Sequence, residues 1–81
     1  MDEKLKNRIV VNPDVMTGKP VVKGTRITVD AIVRRMAEGM TISELLEEYT
    51  DLKKEDIKAA LEYCADIISS EDVMPVLSKA R

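Results

Sequence analysis

The stretch Thr41–Ile68, TISELLEEYTDLKKEDIKAALEYCADII, decides the fold of this chain. Its first four residues match a capping box, in which the Thr41 and Glu44 side chains each bond the other residue's backbone amide at a helix start. The apolar pattern predicts a short helix over Thr41–Tyr49, a turn over Thr50–Lys53 and a longer helix over Lys54–Ile68. This is the spacing of a helix-turn-helix, although a plain three-helix bundle would give the same periodicity.

Apolar stripes indicate how the helices face a common core. In the longer helix we expect the stripe to consist of Ile57, Leu61, Cys64 and Ile68, with Ala60 and Ile67 beside it. An earlier helix, Val29–Glu38, is predicted from apolar residues at helical spacing, namely Val29, Ile32, Val33, Met36 and Met40. Thr28 is placed to cap its start, and Gly39 is placed to end it.

In the residues before these helices, apolar residues recur at every second position and not at about every 3.6 residues. Arg8–Val11 is a β-branched run that ends at the turn Asn12-Pro13-Asp14, and Val21–Lys23 follows a second turn at Met16–Pro20. Arg26–Val29 then resumes an extended character. The sequence thus predicts a mainly α fold, with a trihelical helix-turn-helix core, a short N-terminal β-hairpin and an apolar C-terminal tail or helix.

Size and composition limit what the chain can be. Its 81 residues predict one domain over residues 1–68 and a partner-binding tail over residues 69–81. With one cysteine, Cys64, and no histidine, internal disulfides and the usual zinc ligand sets are excluded, so oligomerisation is the expected source of extra stability. No apolar run is long enough to span a membrane, and the charged N-terminus lacks a signal peptide, so we expect a cytoplasmic protein.

The net charge of −2 is unevenly distributed. Residues 1–40 contain eight Lys or Arg and five Asp or Glu, whereas residues 41–81 contain five and ten. If the chain binds DNA, the candidates are therefore basic residues of the first half, which are Lys19, Lys23, Arg26, Arg34 and Arg35. Lysines at the start of the longer helix, Lys53, Lys54 and Lys58, are the other candidates. We favour an ordinary solvated helix start as their explanation, because residues 53–69 have a net charge of −1 and acidic residues that face phosphates weaken binding.

The residues needed for common catalytic chemistry are missing. No histidine is present to act as a base, and Cys64 lies within an apolar periodic segment typical of a buried residue. We therefore predict no enzyme activity, no catalytic residues, no metal, no cofactor and no small-molecule substrate.

The segment Gly18–Val29, GKPVVKGTRITV, resembles the signature of the domain of unknown function 433 family. Further residues that fit the family pattern are Gly39, Ile42, Leu45, Leu46, Tyr49, Leu52, Glu55, Asp56, Ile57, Ala59, Ala60 and Leu61. The resemblance implies a homeodomain-like trihelical fold with a small N-terminal β element. It also implies a VapB-like antitoxin that forms a homodimer, binds operator DNA and neutralises a nuclease-like toxin with a PIN-type domain.

Two positions depart from the family pattern. Thr50 and Lys53 occupy places where members usually have Pro and a Leu-Thr pair, so the third helix lacks a hydroxyl cap. Asp56 at the third helical position can still bond back to the helix start, and a carboxylate there suits the helix dipole. Within the signature, Gly18 and Gly24 are expected to adopt backbone angles that other residues avoid, while Pro20 stiffens the turn. Lys23 and Arg26 then project towards phosphate or a dimer partner, or Arg26 ties the hairpin to a helix.

The leading hypothesis is an antitoxin that represses its own operon. Its tail would dock on the toxin through Val73, Val76 and Leu77, and Lys79 or Arg81 would pair with an acidic nuclease site. One alternative is a stand-alone helix-turn-helix transcription regulator. Another is a dimeric protein-interaction module that does not bind DNA, which the acidic C-terminal half favours.

Overall fold

The computed structural model describes Leu5 and residues 7–70, without the side chain of Ser70. Its elements, in chain order, are strands β1 (Ile9–Val11) and β2 (Pro20–Val22) and helices α1 (Val29–Ala37), α2 (Ile42–Glu48) and α3 (Lys54–Ser70). This is the predicted mainly α domain with three helices behind a hairpin. The partner-binding residues predicted in the tail, Val73, Val76, Leu77, Lys79 and Arg81, lie outside the described residues.

The two strands form the predicted antiparallel hairpin. Ile9 is paired with Val22, Val10 with Val21, and Val11 with Pro20. Because neighbouring side chains on a strand point to opposite faces, Ile9 and Val22 share the face that packs into the helical core. Val10 and Val21 share the opposite face.

A tight turn joins β2 to α1. Gly24 has a φ of 82°, a left-handed angle that glycine adopts without strain, and Gly18 in the preceding loop has the same value. The Thr25 hydroxyl donates to the Val22 carbonyl at 2.9 Å and accepts from the Ile27 amide at 3.0 Å. An isolated bridge then connects Val21 to Thr28. The prediction for the glycines is therefore confirmed.

The helix caps also follow the predictions. The Thr28 hydroxyl accepts a bond from the Ala31 amide at the start of α1, and Gly39 lies just beyond its end with a φ of 104°. At the start of α2 both bonds of the capping box are present, since Thr41 accepts from the Glu44 amide and Glu44 accepts from the Thr41 amide. Helix α2, the turn and α3 thus occur in the order expected for a helix-turn-helix.

The aliphatic core lies between the hairpin and the three helices. Its completely buried side chains include Ile32 of α1, Leu45 of α2 and Ile57, Ala59 and Ala60 of α3. The predicted stripe of α3 is correct for Ile57 and Ala60, and Cys64 packs partly against the core. It is wrong for three residues that are 38–57 % exposed, namely Leu61, Ile67 and Ile68. The buried face is rotated towards Ala59 and Tyr63, and α3 continues to Ser70, two residues beyond its predicted end.

Candidate nucleic-acid interface

The buried carboxylate of Asp56 fixes the start of α3. Its Oδ2 atom accepts a bond from the Lys53 amide at 2.9 Å, which is the predicted substitute for a hydroxyl cap. Its Oδ1 atom accepts a bond at 2.9 Å from Nη1 of Arg8, just before β1. Asp56 is only 6 % exposed, so this ion pair balances a charge that would otherwise be costly to bury. The pair also holds the hairpin against the first turn of α3.

This arrangement gathers basic residues from distant parts of the chain. The Lys23 amide donates to the Arg8 carbonyl at 2.7 Å, so the residue after β2 lies beside the residue before β1. These bonds connect Arg8, Lys23 and Lys53 to the N-terminal end of α3, where Lys54 is the first helical residue, and we call these four residues the cationic cluster. Glu55 and Asp56 supply two opposing carboxylates, so the cluster has an excess of two positive charges. The positive end of the helix dipole lies at the same place.

Two of the predicted DNA-binding residues are instead engaged in pairs within the domain. Lys19 lies 3.8 Å from Asp30, with both side chains about half exposed. Arg35 of α1 pairs with Glu48 of α2 at 3.1 Å, and its guanidinium lies 5.9 Å from the ring centre of Tyr49. The Arg35 contacts hold α1 against α2, so this side chain has a structural role in the domain.

The remaining predicted cations, Arg26, Arg34 and Lys58, have exposed side chains. In the described residues, no side-chain hydrogen bond or ion pair connects them to the cationic cluster. Arg34 lies on α1, and Lys58 lies one turn after Lys54 on α3. Arg26 instead lines a groove of about 820 Å³ between the hairpin and the turn of the helix-turn-helix. Its lining is formed by Val10, Asn12, Val15, Val21, Gly24, Thr25, Arg26, Ile27, Glu48, Tyr49, Thr50 and Asp51.

Sequence analysis missed Arg8 and the groove. A basic residue before a short strand carries no local signal of its partner 48 positions later, so the Arg8–Asp56 pair could only be found in three dimensions. The groove likewise joins two parts of the chain that are far apart in sequence. By contrast, the role of Asp56 was predicted, because the capping position is a local property of a helix.

Within Leu5 and residues 7–70, no three His, Cys, Asp or Glu side chains are close enough together to hold a metal ion. The only cysteine, Cys64, is partly covered, and burial together with the nearby charge of Asp30 raises the pKa of its thiol. A raised pKa leaves less of the nucleophilic thiolate at neutral pH. No helix in this part of the chain is long and apolar enough to cross a membrane.

Comparison with known proteins places this geometry among proteins without an assigned activity. Residues 9–64 match the model of a family described as "Protein of unknown function (DUF433)". A crystal structure of a DUF433 member protein from Anabaena variabilis is 32 % identical and has a TM-score of 0.74. The match covers 84 % of this chain and 67 % of the Anabaena chain.

Two relatives extend the comparison to other organisms. The uncharacterized protein y4eO of Sinorhizobium fredii is 34 % identical over 55 residues, which make up 68 % of this chain but only 25 % of the rhizobial protein. An uncharacterized protein of Archaeoglobus fulgidus is 70 % identical over 27 residues, which are 33 % of this chain and 75 % of that protein. The family match covers more than half of the chain and includes the hairpin, all of α1 and α2 and most of α3. This chain belongs to the DUF433 family of proteins of unknown function.

Proposed function

We propose that this chain is a DNA-binding regulator that acts as the antitoxin of a type II toxin–antitoxin pair. The observation that carries the DNA-binding part is the cationic cluster, in which Arg8, Lys23, Lys53 and Lys54 meet at the start of the second helix of a helix-turn-helix. A recognition helix contacts DNA mainly through its N-terminal residues, which is where this cluster lies. Residues 41–81, which include α3, contain ten Asp or Glu, but the cationic cluster itself keeps an excess of two positive charges.

The cluster is suited to phosphate contacts. Asp56 is neutralised by Arg8, which leaves Lys23, Lys53 and Lys54 exposed and without ion pairs in the described residues. Each phosphate contact contributes about −0.9 to the slope of log affinity against log salt concentration, so three contacts give a slope of about −3. Such contacts provide affinity and orientation but do not distinguish base sequences.

The solvent-exposed face of α3 would contact the DNA bases. Glu55 and Lys58 are exposed there, three positions apart and on the same side of the helix. A carboxylate can accept a bond from cytosine and a lysine can donate to guanine in the major groove. We therefore assign these two side chains to base contacts and the cluster to the backbone.

The antitoxin part of the proposal concerns the end of α3 and the residues that follow. Leu61, in the middle of α3, and Ile68, on its last turn, are exposed apolar side chains. They lead into a segment whose sequence contains Val73, Val76 and Leu77. Apolar side chains at helical or extended spacing are suited to a hydrophobic groove on the toxin. Lys79 and Arg81 are suited to pair with the acidic site of a nuclease. This activity would take place in the cytoplasm, where operator DNA and toxin are both found.

DNA binding can be tested by fluorescence anisotropy with a duplex from upstream of the chain's own gene and a scrambled duplex of equal length. We expect tighter binding to the first duplex and a salt slope of about −3. The double variant Lys53→Gln, Lys54→Gln should reduce the slope by about two and weaken binding to both duplexes. Lys19→Gln, at an exposed lysine outside the cluster, is the matched control. Equal losses in both variants, or no binding at low salt, would contradict the proposal.

The antitoxin activity needs a separate experiment. We would co-express the chain with the protein encoded by the neighbouring gene and measure complex formation by size-exclusion chromatography with light scattering. A stoichiometric complex that inhibits a ribonuclease activity is expected, and a chain truncated after Ser70 should bind much more weakly. Operator binding without such a complex would instead indicate the stand-alone regulator. A dimer that binds neither DNA nor the neighbouring protein would indicate the interaction module.

A further inference from the structure

The β-hairpin carries apolar side chains on both faces. Ile9 and Val22 belong to the core cluster, whereas the directly paired Val10 and Val21 form part of the floor of the groove together with Ile27. Small antiparallel sheets usually place polar side chains on the face that is not packed. Val21 is 2 % exposed and is already buried within the chain, whereas Val10 and Ile27 are half-buried and line the groove. These two side chains are therefore the apolar surface that a partner would cover.

The rim of the groove carries one cation and one carboxylate that are not used within the domain. Neither Arg26 nor Asp51 has an ion pair or a hydrogen bond through its side chain in the part of the chain that the structure describes. The other acidic residue of the lining, Glu48, is already paired with Arg35. The groove thus combines an apolar floor with one unpaired charge of each sign.

We propose that the groove is the surface through which two copies of this chain form a dimer, with Arg26 of each copy facing Asp51 of the other. A two-fold axis places the same patch on both copies. Arg26 of each copy can therefore pair with Asp51 of the other, and the dimer contains two such ion pairs. A nucleic acid would leave Asp51 facing phosphate, and a strongly charged protein would leave one of the two residues unmatched. The inference adds a contact surface to the proposed regulator but does not depend on DNA binding.

Helix α3 carries another exposed apolar surface in the described residues. Leu61 and Ile68 are exposed on this helix, and the proposed function assigns them to the toxin. The groove also shares no residue with the cationic cluster. The proposed dimer contact and the proposed DNA contacts therefore use different residues.

The test uses the full chain without DNA, with mass measured by light scattering across a dilution series. We expect a dimer for the unchanged chain. Arg26→Glu and Asp51→Arg should each weaken the dimer at least about tenfold, because each places like charges opposite one another. The double variant Arg26→Glu, Asp51→Arg should restore the dimer, since the pairs form again with their signs exchanged. Circular dichroism of each variant establishes that the helices are intact.

Two control variants separate this surface from the others. Lys54→Glu, in the cationic cluster, should leave the dimer unchanged while weakening DNA binding. Ile68→Glu, at the end of α3, should also leave the dimer unchanged. A monomeric wild-type chain, a double variant that stays monomeric, or loss of the dimer only in Ile68→Glu would overturn the inference. A dimer with the expected charge-exchange behaviour but without DNA affinity would support it while contradicting the proposed function.

Discussion

Nη1 of Arg8 lies 2.9 Å from Oδ1 of Asp56, and this ion pair joins the start of the hairpin to the first turn of α3. The same carboxylate caps the helix through the Lys53 amide. One side chain therefore completes the helix start and holds the hairpin beside it. The position of the cationic cluster depends on both contacts.

Replacing Asp56 by Ala should be among the more destabilising changes in the domain. It removes the cap and leaves Arg8 without its counter-ion, although the Arg8 side chain is 34 % exposed and water can partly solvate it. We expect a loss of about 2–3 kcal/mol in the free energy of unfolding, below the cost of breaking a fully buried pair. Asp56→Asn should lose less because its amide oxygen can still accept from Lys53. Urea denaturation measures both values, and Glu55→Ala, which should change stability by at most about 0.5 kcal/mol, is the control.

The capping box of α2 should make part of the stability sensitive to pH. The Thr41 backbone amide, followed by the Thr41 hydroxyl, lowers the pKa of Glu44 below its ordinary value of 4.5. A lowered pKa in the folded state means that this contribution is complete above about 4.5 and is lost as the pH falls through the lower value. Glu44→Gln should therefore flatten the dependence of the urea midpoint on pH in that acidic range. An unchanged pH dependence in this variant would contradict the assignment.

A substitution at Thr41 tests the same box at neutral pH. Thr41→Ala removes the acceptor for the Glu44 amide, which lies 3.1 Å from the hydroxyl oxygen. We expect a loss of about 0.5–2 kcal/mol in the free energy of unfolding. Ser43→Ala, two positions along the same exposed helix start, should have little effect or stabilise slightly because alanine favours helices. Equal effects of the two substitutions would argue against the cap.

The turn before α1 should tolerate no ordinary side chain at Gly24 without strain. A Cβ atom placed there meets no atom within 4 Å, so the cost comes from the backbone angle of 82° and not from crowding. Gly24→Ala should cost about 1–2 kcal/mol, and Gly24→Asn should cost less because asparagine tolerates left-handed angles. Thermal unfolding would show this order. A Gly24→Ala variant as stable as the parent would contradict the turn geometry.

Local signals in the sequence were sufficient for the hairpin, the caps and, to within one residue, the ends of α1 and α2. Each of these depends on neighbouring residues, such as Thr28 with Ala31 or Thr41 with Glu44, whose bonds are fixed by helix geometry. The Arg8–Asp56 pair and the groove depend on contacts between distant segments. Such contacts are set by how the elements pack, which the spacing of residues in one segment does not determine.

The wrong part of the α3 prediction has a similar cause. Apolar residues occur on more than one side of this helix, so periodicity alone does not fix which side faces the core. Helix α3 also has 17 residues, whereas α1 has nine and α2 seven, and its last turns extend beyond the residues that cover its first half. Ile68 fits the stripe by spacing but is 57 % exposed.

Replacing one buried and one exposed isoleucine of α3 by alanine would test this difference directly. Ile57 is completely buried, so Ile57→Ala should cost about 2–5 kcal/mol in the free energy of unfolding. Ile68→Ala should change the stability of the isolated chain by at most about 0.5 kcal/mol, because its side chain is mostly in water. Urea denaturation of the two variants under identical conditions provides the comparison. A large loss in Ile68→Ala would mean that the end of α3 is covered in solution.

The thiol of Cys64 should be a slow nucleophile in the folded chain. Burial is the main cause of its raised pKa, and the charge of Asp30 adds to it, so the thiolate becomes abundant only above the ordinary value of 9.0. Because the thiolate is the reactive form, alkylation by iodoacetamide at pH 8 should be slower in the folded chain than in urea. Asp30→Asn should speed the folded-state reaction and move its pH profile downwards, whereas Glu38→Gln should change neither. Equal rates in the folded and unfolded chains would show that the thiol is exposed and would reopen the question of a chemical role for this residue.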